Sequence, residues 1–242
     1  MSSRDSSEDL LFFKVEMEGL LKHTFALFRQ AFVPLAILYF AFDLILMALA
    51  GLVGWLMQSS DLVRQLLKPA AWEVAGLGVG ALTVYLLTFA SFLIAASRMD
   101  GKELPKPALI LGSGLLRLPW VVVGLLVAIL LIALGLMLLV IPGFMVGVAL
   151  SVLWPVLFLE DRAFDAIHRT FDLTRGHRWT LFWFFLVMGL ISGAGSLISA
   201  IFPGFLSWIV GNVLIILDIA ALTAAYGDLR TAADAEVSFW QS

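Results

Sequence analysis

The sequence predicts an all-α polytopic integral membrane protein: six transmembrane helices paired as three hairpins, with amphipathic helices on the cytoplasmic side. Three observations carry this expectation. The first is composition. Of 242 residues, 62% are hydrophobic and 14% charged, with a mean hydropathy of +1.02. Soluble domains run at roughly 45–50% apolar and about 25% charged, so this chain has more apolar surface than a soluble core of its size can hide. The second is the presence of six apolar segments near the roughly 20 residues that a crossing helix needs. The third is the uncharged run from Leu118 to Leu159, which Pro142-Gly143 interrupts.

The first 30 residues form a polar, then amphipathic, segment. Its opening, MSSRDSSEDLLFF, has neither a basic leader nor a small-residue cleavage site, so it does not read as a signal peptide. From Phe13 to Arg29, the residues Leu20, Leu21, Phe25 and Phe28 supply an apolar face. The six-helix domain follows over residues 31–226, with expected crossings at about 31–57, 74–97, 119–140, 143–159, 179–201 and 204–226. A cytoplasmic tail covers 227–242.

The 42-residue uncharged run decides the third and fourth crossings. As one helix it would be about 63 Å long, twice a bilayer core. Pro removes a backbone donor and Gly permits positive φ, so Pro142-Gly143 predicts a hairpin turn. Pro203-Gly204 repeats the pattern 61 residues later. Arg117 stands 25 residues before Pro142, and Arg178 stands 25 before Pro203. This is a weak parallel repeat, unlike the inverted repeat common in transporters.

Lys and Arg set the expected orientation. Thirteen fall on one side, among them Lys22, Arg29, Arg98, Arg117, Arg169, Arg175, Arg178 and Arg230. Only Arg64 and Lys68 fall on the other. Both termini are therefore expected in the cytoplasm. Trp55, Trp72 and Trp208 then mark the outer interface, and Trp120, Trp179, Trp183 and Tyr226 the inner one.

The segment from Glu160 to Trp179 predicts a short interfacial helix over about 160–178. Phe164, Ile167, Phe171 and Thr174 recur on one face, with Asp165, Arg169 and Asp172 elsewhere and Gly176 placed to end it. Glu160, Arg169, Arg175, Gly176, Arg178 and Trp179 form its candidate partner-facing motif. Such a helix either anchors a connection or docks a cytoplasmic partner or lipid headgroups.

This stretch carries a family resemblance. A PG turn leads through Trp154-Pro155 to Glu160, five residues on, and then to Phe171-Asp172-Leu173-Thr174-Arg175-Gly176-His177-Arg178-Trp179. The order resembles the membrane domain associated with some glycerophosphoryl diester phosphodiesterases, and related small six-helix bacterial membrane proteins. The match covers about Ile141 to Thr180. The resemblance implies the fold and a cytoplasmic motif but no activity, because the phosphodiesterase chemistry belongs to a separate barrel domain that this chain is too short to hold.

Two carboxyls fall within predicted crossings, Asp43 in the first and Asp218 in the sixth, with Asn212 six residues before Asp218. An intramembrane carboxyl is costly and marks a candidate site by default. The pair could be interhelical hydrogen-bond glue, line a polar cavity, or form a proteolytic dyad. The last lacks the expected G-x-G-D context. Gly76/Gly80, Gly143/Gly147 and Gly189/Gly193 are small pairs that let helices approach, within the chain or in a homo-oligomer.

Residue inventory excludes other functions. There is no Cys, and the three His lie outside the predicted crossings. No metal motif, phosphate-binding loop or dinucleotide fingerprint occurs. No catalytic residue, cofactor or metal is expected, and a net charge of −3 suggests no nucleic-acid partner. Two functions remain. One is a non-enzymatic accessory or scaffold protein binding a partner or lipid through its cytoplasmic helices. The other is a small transporter or permease subunit with Asp43 and Asp218 on its pathway.

Overall fold

A computed structural model of the chain describes residues 15–59, 69–138, 146–160, 165–202 and 204–241. The described residues are almost entirely helical: α1 Met17–Ser59, α2 Pro69–Met99, α3 Pro107–Leu138, α4 Leu153–Leu159, α5 Ala166–Leu173, α6 Arg178–Ile201 and α7 Phe205–Gln241. Among them, five helices are long and apolar enough to cross a membrane: Met17–Leu49, Gly78–Met99, Pro107–Gly135, Arg178–Ile201 and Phe205–Ala235. Their outer faces are apolar; Leu116, Leu130 and Met137 on α3 are 78%, 67% and 89% exposed. A water-soluble surface does not carry apolar patches of that extent. The chain is an all-α, multi-pass membrane protein.

The expected fourth crossing differs. Its described part, Val146–Leu159, is a shorter apolar helix, about 21 Å at 1.5 Å per residue. It is broken by a turn at Ser151 and Val152, where the Ser151 hydroxyl donates to Val148 O at 2.7 Å. Leu153, Pro155, Val156, Leu157 and Phe158 are buried. Rings of Tyr85, Phe89, Phe92 and Trp154 surround Phe158 at centroid distances of 5.4–5.9 Å. A short apolar helix of this length satisfies its hydrophobicity inside a bundle rather than against lipid. Pro142, Gly143 and Pro203 lie outside the described residues. Gly204 is described and has φ +88°, the left-handed conformation a tight turn uses.

Helix boundaries also differ. α1 begins at Met17, so the expected separate amphipathic segment is the first turns of the first long helix. Its buried line runs through Leu20, Thr24, Leu27, Ala31, Leu35 and Tyr39, at the 3–4-residue spacing of a helix face. Phe25, expected on that face, is exposed. A helix turns 100° per residue, and Thr24 takes the inward place. Its hydroxyl is satisfied by Leu20 O at 2.7 Å, which removes the cost of burying it. The expected tail from 227 likewise continues α7 without a break.

The core is concentrated at one end. The fully buried large side chains include Leu20, Leu35, Phe89, Phe92, Phe158, Leu181, Phe184, Ile216, Tyr226 and Leu229. They belong to the first half of α1, the last part of α2, α4, the first part of α6 and the middle of α7. Those parts meet where Arg98, Arg117, Arg169, Arg178 and Arg230 reside, here termed the basic end. At the far end, Leu44, Met47, Leu52 and Trp55 of α1 are exposed.

Candidate functional site at the basic end

Glu160 is the centre of the basic end. Its side chain is 15% exposed, directly beyond the buried Phe158. Tyr226 OH donates to Glu160 Oε1 at 3.0 Å, tying α7 to the end of α4. Arg169 Nε of α5 faces Glu160 Oε2 at 3.5 Å, an ion pair too long for a good hydrogen bond. From α3, the Arg117 guanidinium donates to the Phe158 carbonyl. Three elements, α3, α5 and α7, thus converge on Phe158 and Glu160 at the end of α4.

The α5 region follows its sequence in part. Ala166, Thr170, Leu173 and Thr174 are buried, while Ile167 and Phe171 are half-buried at the core margin. The buried line is therefore rotated from the predicted face; Phe164 lies outside the described residues. Thr170 and Thr174 enter the core because their hydroxyls donate to the carbonyls of Ala166 and Thr170, at 2.7 and 2.9 Å. The helix is capped at Thr174, and Gly176 takes φ +83° two residues later. That left-handed residue turns the chain into α6. Arg178, its first residue, lies 5.5 Å over the Phe171 ring. Trp179 is 63% exposed and edge-on to Phe182. Arg175 is exposed.

The intramembrane candidates separate into two sites. Asp43 Oδ2 accepts from Trp208 Nε1 at 2.6 Å and from Asn212 Nδ2 at 3.0 Å. Asn212 also donates to Trp208 O at 3.2 Å, and Phe40 meets the Trp208 ring edge-on. Asp218 instead accepts from Ser192 Oγ of α6 at 2.7 Å. Asn212 therefore serves Asp43 rather than its neighbour in sequence. Each carboxyl joins a different pair of helices, α1 to α7 and α6 to α7. The six-residue step from Asn212 to Asp218 separates the two clusters by about 9 Å along α7.

A cavity of about 360 Å³ opens at the basic end between α1, α2 and α7. His23, Gln30, Asp100, Asp228 and Thr231 supply its polar lining. His23 Nδ1 bonds both carboxyl oxygens of Asp228, at 2.8 and 2.9 Å. Composition and spacing did not single out Tyr226, Trp208, Ser192 or the His23–Asp228 pair as site residues. Tyr226 and Trp208 register in sequence only as interfacial aromatics. Among the described residues, no group of three or more His, Asp or Glu is placed to hold a metal ion.

The close helix approaches fall on other glycines than the predicted pairs. Open space surrounds Gly80, Gly147, Gly189 and Gly193; Gly143 lies outside the described residues, and the surroundings of Gly76 are not described. The tightest contacts are Gly195 with Leu214 and Gly227 with Met99, followed by Gly114 with Leu86 and Phe89 and Gly124 with Leu157.

No known protein family matches the sequence, no curated protein is detectably similar to it, and no solved structure is similar to its fold.

Proposed function

We propose that the protein is a non-enzymatic accessory or scaffold component of a bacterial inner membrane, binding a partner or lipid through the basic end. Six membrane-embedded segments, with the Val146–Leu159 helix as the fourth, place both termini and α5 in the cytoplasm in this reading. The single observation that carries it is the contrast between the two ends of its polar chemistry. Asp43 and Asp218 are each engaged by neighbouring helices, as structural hydrogen bonds are. At the basic end, charge is presented outward by Arg175 and held around Glu160 by Arg169.

The transporter reading needs Asp43 and Asp218 on one pathway. Their assignment to separate helix pairs supplies no such path. Exposed Gly189 and Gly193 on α6 leave room for a second copy of this chain.

Affinity purification from native membranes tests the proposal. A protein or lipid recovered at fixed stoichiometry, and lost on R169E R175E substitution, is the expected result. Recovery unaffected by those changes would remove the basic end as the binding face.

A further inference from the structure

The cavity of about 360 Å³ lies where α1, α2 and α7 all pack on one another. Its polar lining is rich in hydrogen-bond acceptors and poor in donors. An ionised carboxylate only accepts, so His23 Nδ1, at 2.8 and 2.9 Å from the two Asp228 oxygens, carries the hydrogen. In the neutral ring, Nε2 is then an acceptor. Thr231 commits its one hydroxyl hydrogen to Gly227 O at 2.9 Å, which leaves its oxygen as an acceptor. The carboxylates of Asp228 and of Asp100, directly after α2, accept outright. Gln30 brings an amide that both donates and accepts. His23, Gln30, Asp100 and Thr231 are exposed and Asp228 is half-buried, so these groups are open to a ligand.

Two observations name the chemistry that fits. Lys102 Nζ lies 2.6 Å from Asp100 Oδ2, so a primary ammonium of the chain itself already sits on one of these carboxylates. Both partners are exposed, and exposed ion pairs are weak, so a second ammonium can compete for the same group. The other observation is that Phe, Tyr and Trp are absent from the lining among the described residues. A quaternary ammonium has no N–H and is recognised by aromatic faces. A primary ammonium carries three donors and no acceptor, the complement of this lining. Met99 supplies apolar surface for the methylenes next to such a group. The nearby cation of Arg230 faces Asp234 at 3.9 Å.

We infer that this cavity binds a primary ammonium group, supplied by an aminophospholipid headgroup or by a soluble amine. The carboxylates of Asp100 and Asp228 provide the charge, and His23, Gln30 and Thr231 provide further acceptors. The inference rests on the basic end being a binding face and names a ligand class for one part of it. It uses no residue of α5, so the two can fail separately.

The test is thermal unfolding of the full chain in a neutral detergent at constant ionic strength. Dioleoyl phosphatidylethanolamine, dioleoyl phosphatidylcholine and ethanolamine are titrated separately. Stabilisation by phosphatidylethanolamine alone identifies a lipid headgroup as the source. Stabilisation by ethanolamine, with or without phosphatidylethanolamine, identifies a soluble amine. D100N D228N is expected to weaken the effect at least tenfold, whereas D234N, on the same helix but outside the lining, keeps it. Should the double variant not fold, D100N alone, at an exposed position and scored by retained phosphatidylethanolamine or ethanolamine in native mass spectrometry, gives the same decision. No stabilisation by either amine, equal stabilisation by phosphatidylcholine, or equal stabilisation of the wild type and the aspartate variants overturns the inference. Native-membrane capture is read separately: an amine-induced shift that persists in R169E R175E, with capture unaffected by those changes, sinks the α5 motif as a docking face and leaves the ammonium site standing.

Discussion

His23 bonds Asp228 at 2.8 Å, and the same helix register brings Asp43 to Trp208 at 2.6 Å. The second pair lies twenty residues further along α1 and twenty back along α7. The two helices therefore run antiparallel without slippage over about 30 Å, the thickness of a bilayer core. Leu27 and Ala224 share that register and pack in one buried cluster. Because the chain has no Cys, a double variant L27C A224C is expected to crosslink efficiently under mild oxidation, and L27C V213C is not. Crosslinking of the second pair instead would show that the register is wrong.

Trp208 and Asn212 both donate to one oxygen of Asp43. Asp43→Asn keeps an acceptor of the same shape, whereas Asp43→Leu leaves both donors without a partner. Interhelical hydrogen bonds inside membranes average about 0.6 kcal/mol, while a stranded buried donor costs roughly 1–3 kcal/mol. Thermal unfolding in detergent is therefore expected to place Asp43→Leu well below Asp43→Asn. Trp208→Phe, which keeps the ring contact with Phe40 but removes the N–H, should fall between wild type and Asp43→Leu. Equal stability of all four would mean that these bonds hold nothing.

Asp218 and Asp43 share no partner. Substitutions at separate sites add to within about 0.3–0.5 kcal/mol. The losses of Asp43→Asn and Asp218→Asn are thus expected to sum in the double variant, with expression retained. A strong departure from additivity would indicate one coupled polar path and revive the transporter reading.

How far the sequence foretold this arrangement varies with the range of the interaction. The long helices follow from continuous apolar runs, and Gly204 and Gly176 take the left-handed conformations that turn chemistry assigns them. Interhelical partners do not follow from local pattern. Asn212 lies six residues from Asp218 in sequence, yet its amide serves Asp43, 169 residues away. Thr24 displaced Phe25 from the core because its hydroxyl bonds its own helix, a choice that hydrophobicity alone ranks the other way. Val146–Leu159 is as apolar as a crossing helix; its burial against Phe89 and Phe92 is set by tertiary packing.

Glycine substitutions separate turn geometry from helix packing. Gly204 has φ +88° with no atom crowding its Cβ position. Gly204→Ala forces an L-residue into the left-handed region, at about 1–2 kcal/mol. Gly193 lies inside α6 with open space around it, where Ala is favoured over Gly by roughly 0.5–1 kcal/mol. Unfolding in detergent should therefore lower the midpoint for Gly204→Ala and raise it for Gly193→Ala, although both are the same chemical change. If Gly193→Ala instead lowers it, a second copy of the chain packs on α6. Gly193→Leu, which fills that space further, would then convert the oligomer to monomer in analytical ultracentrifugation.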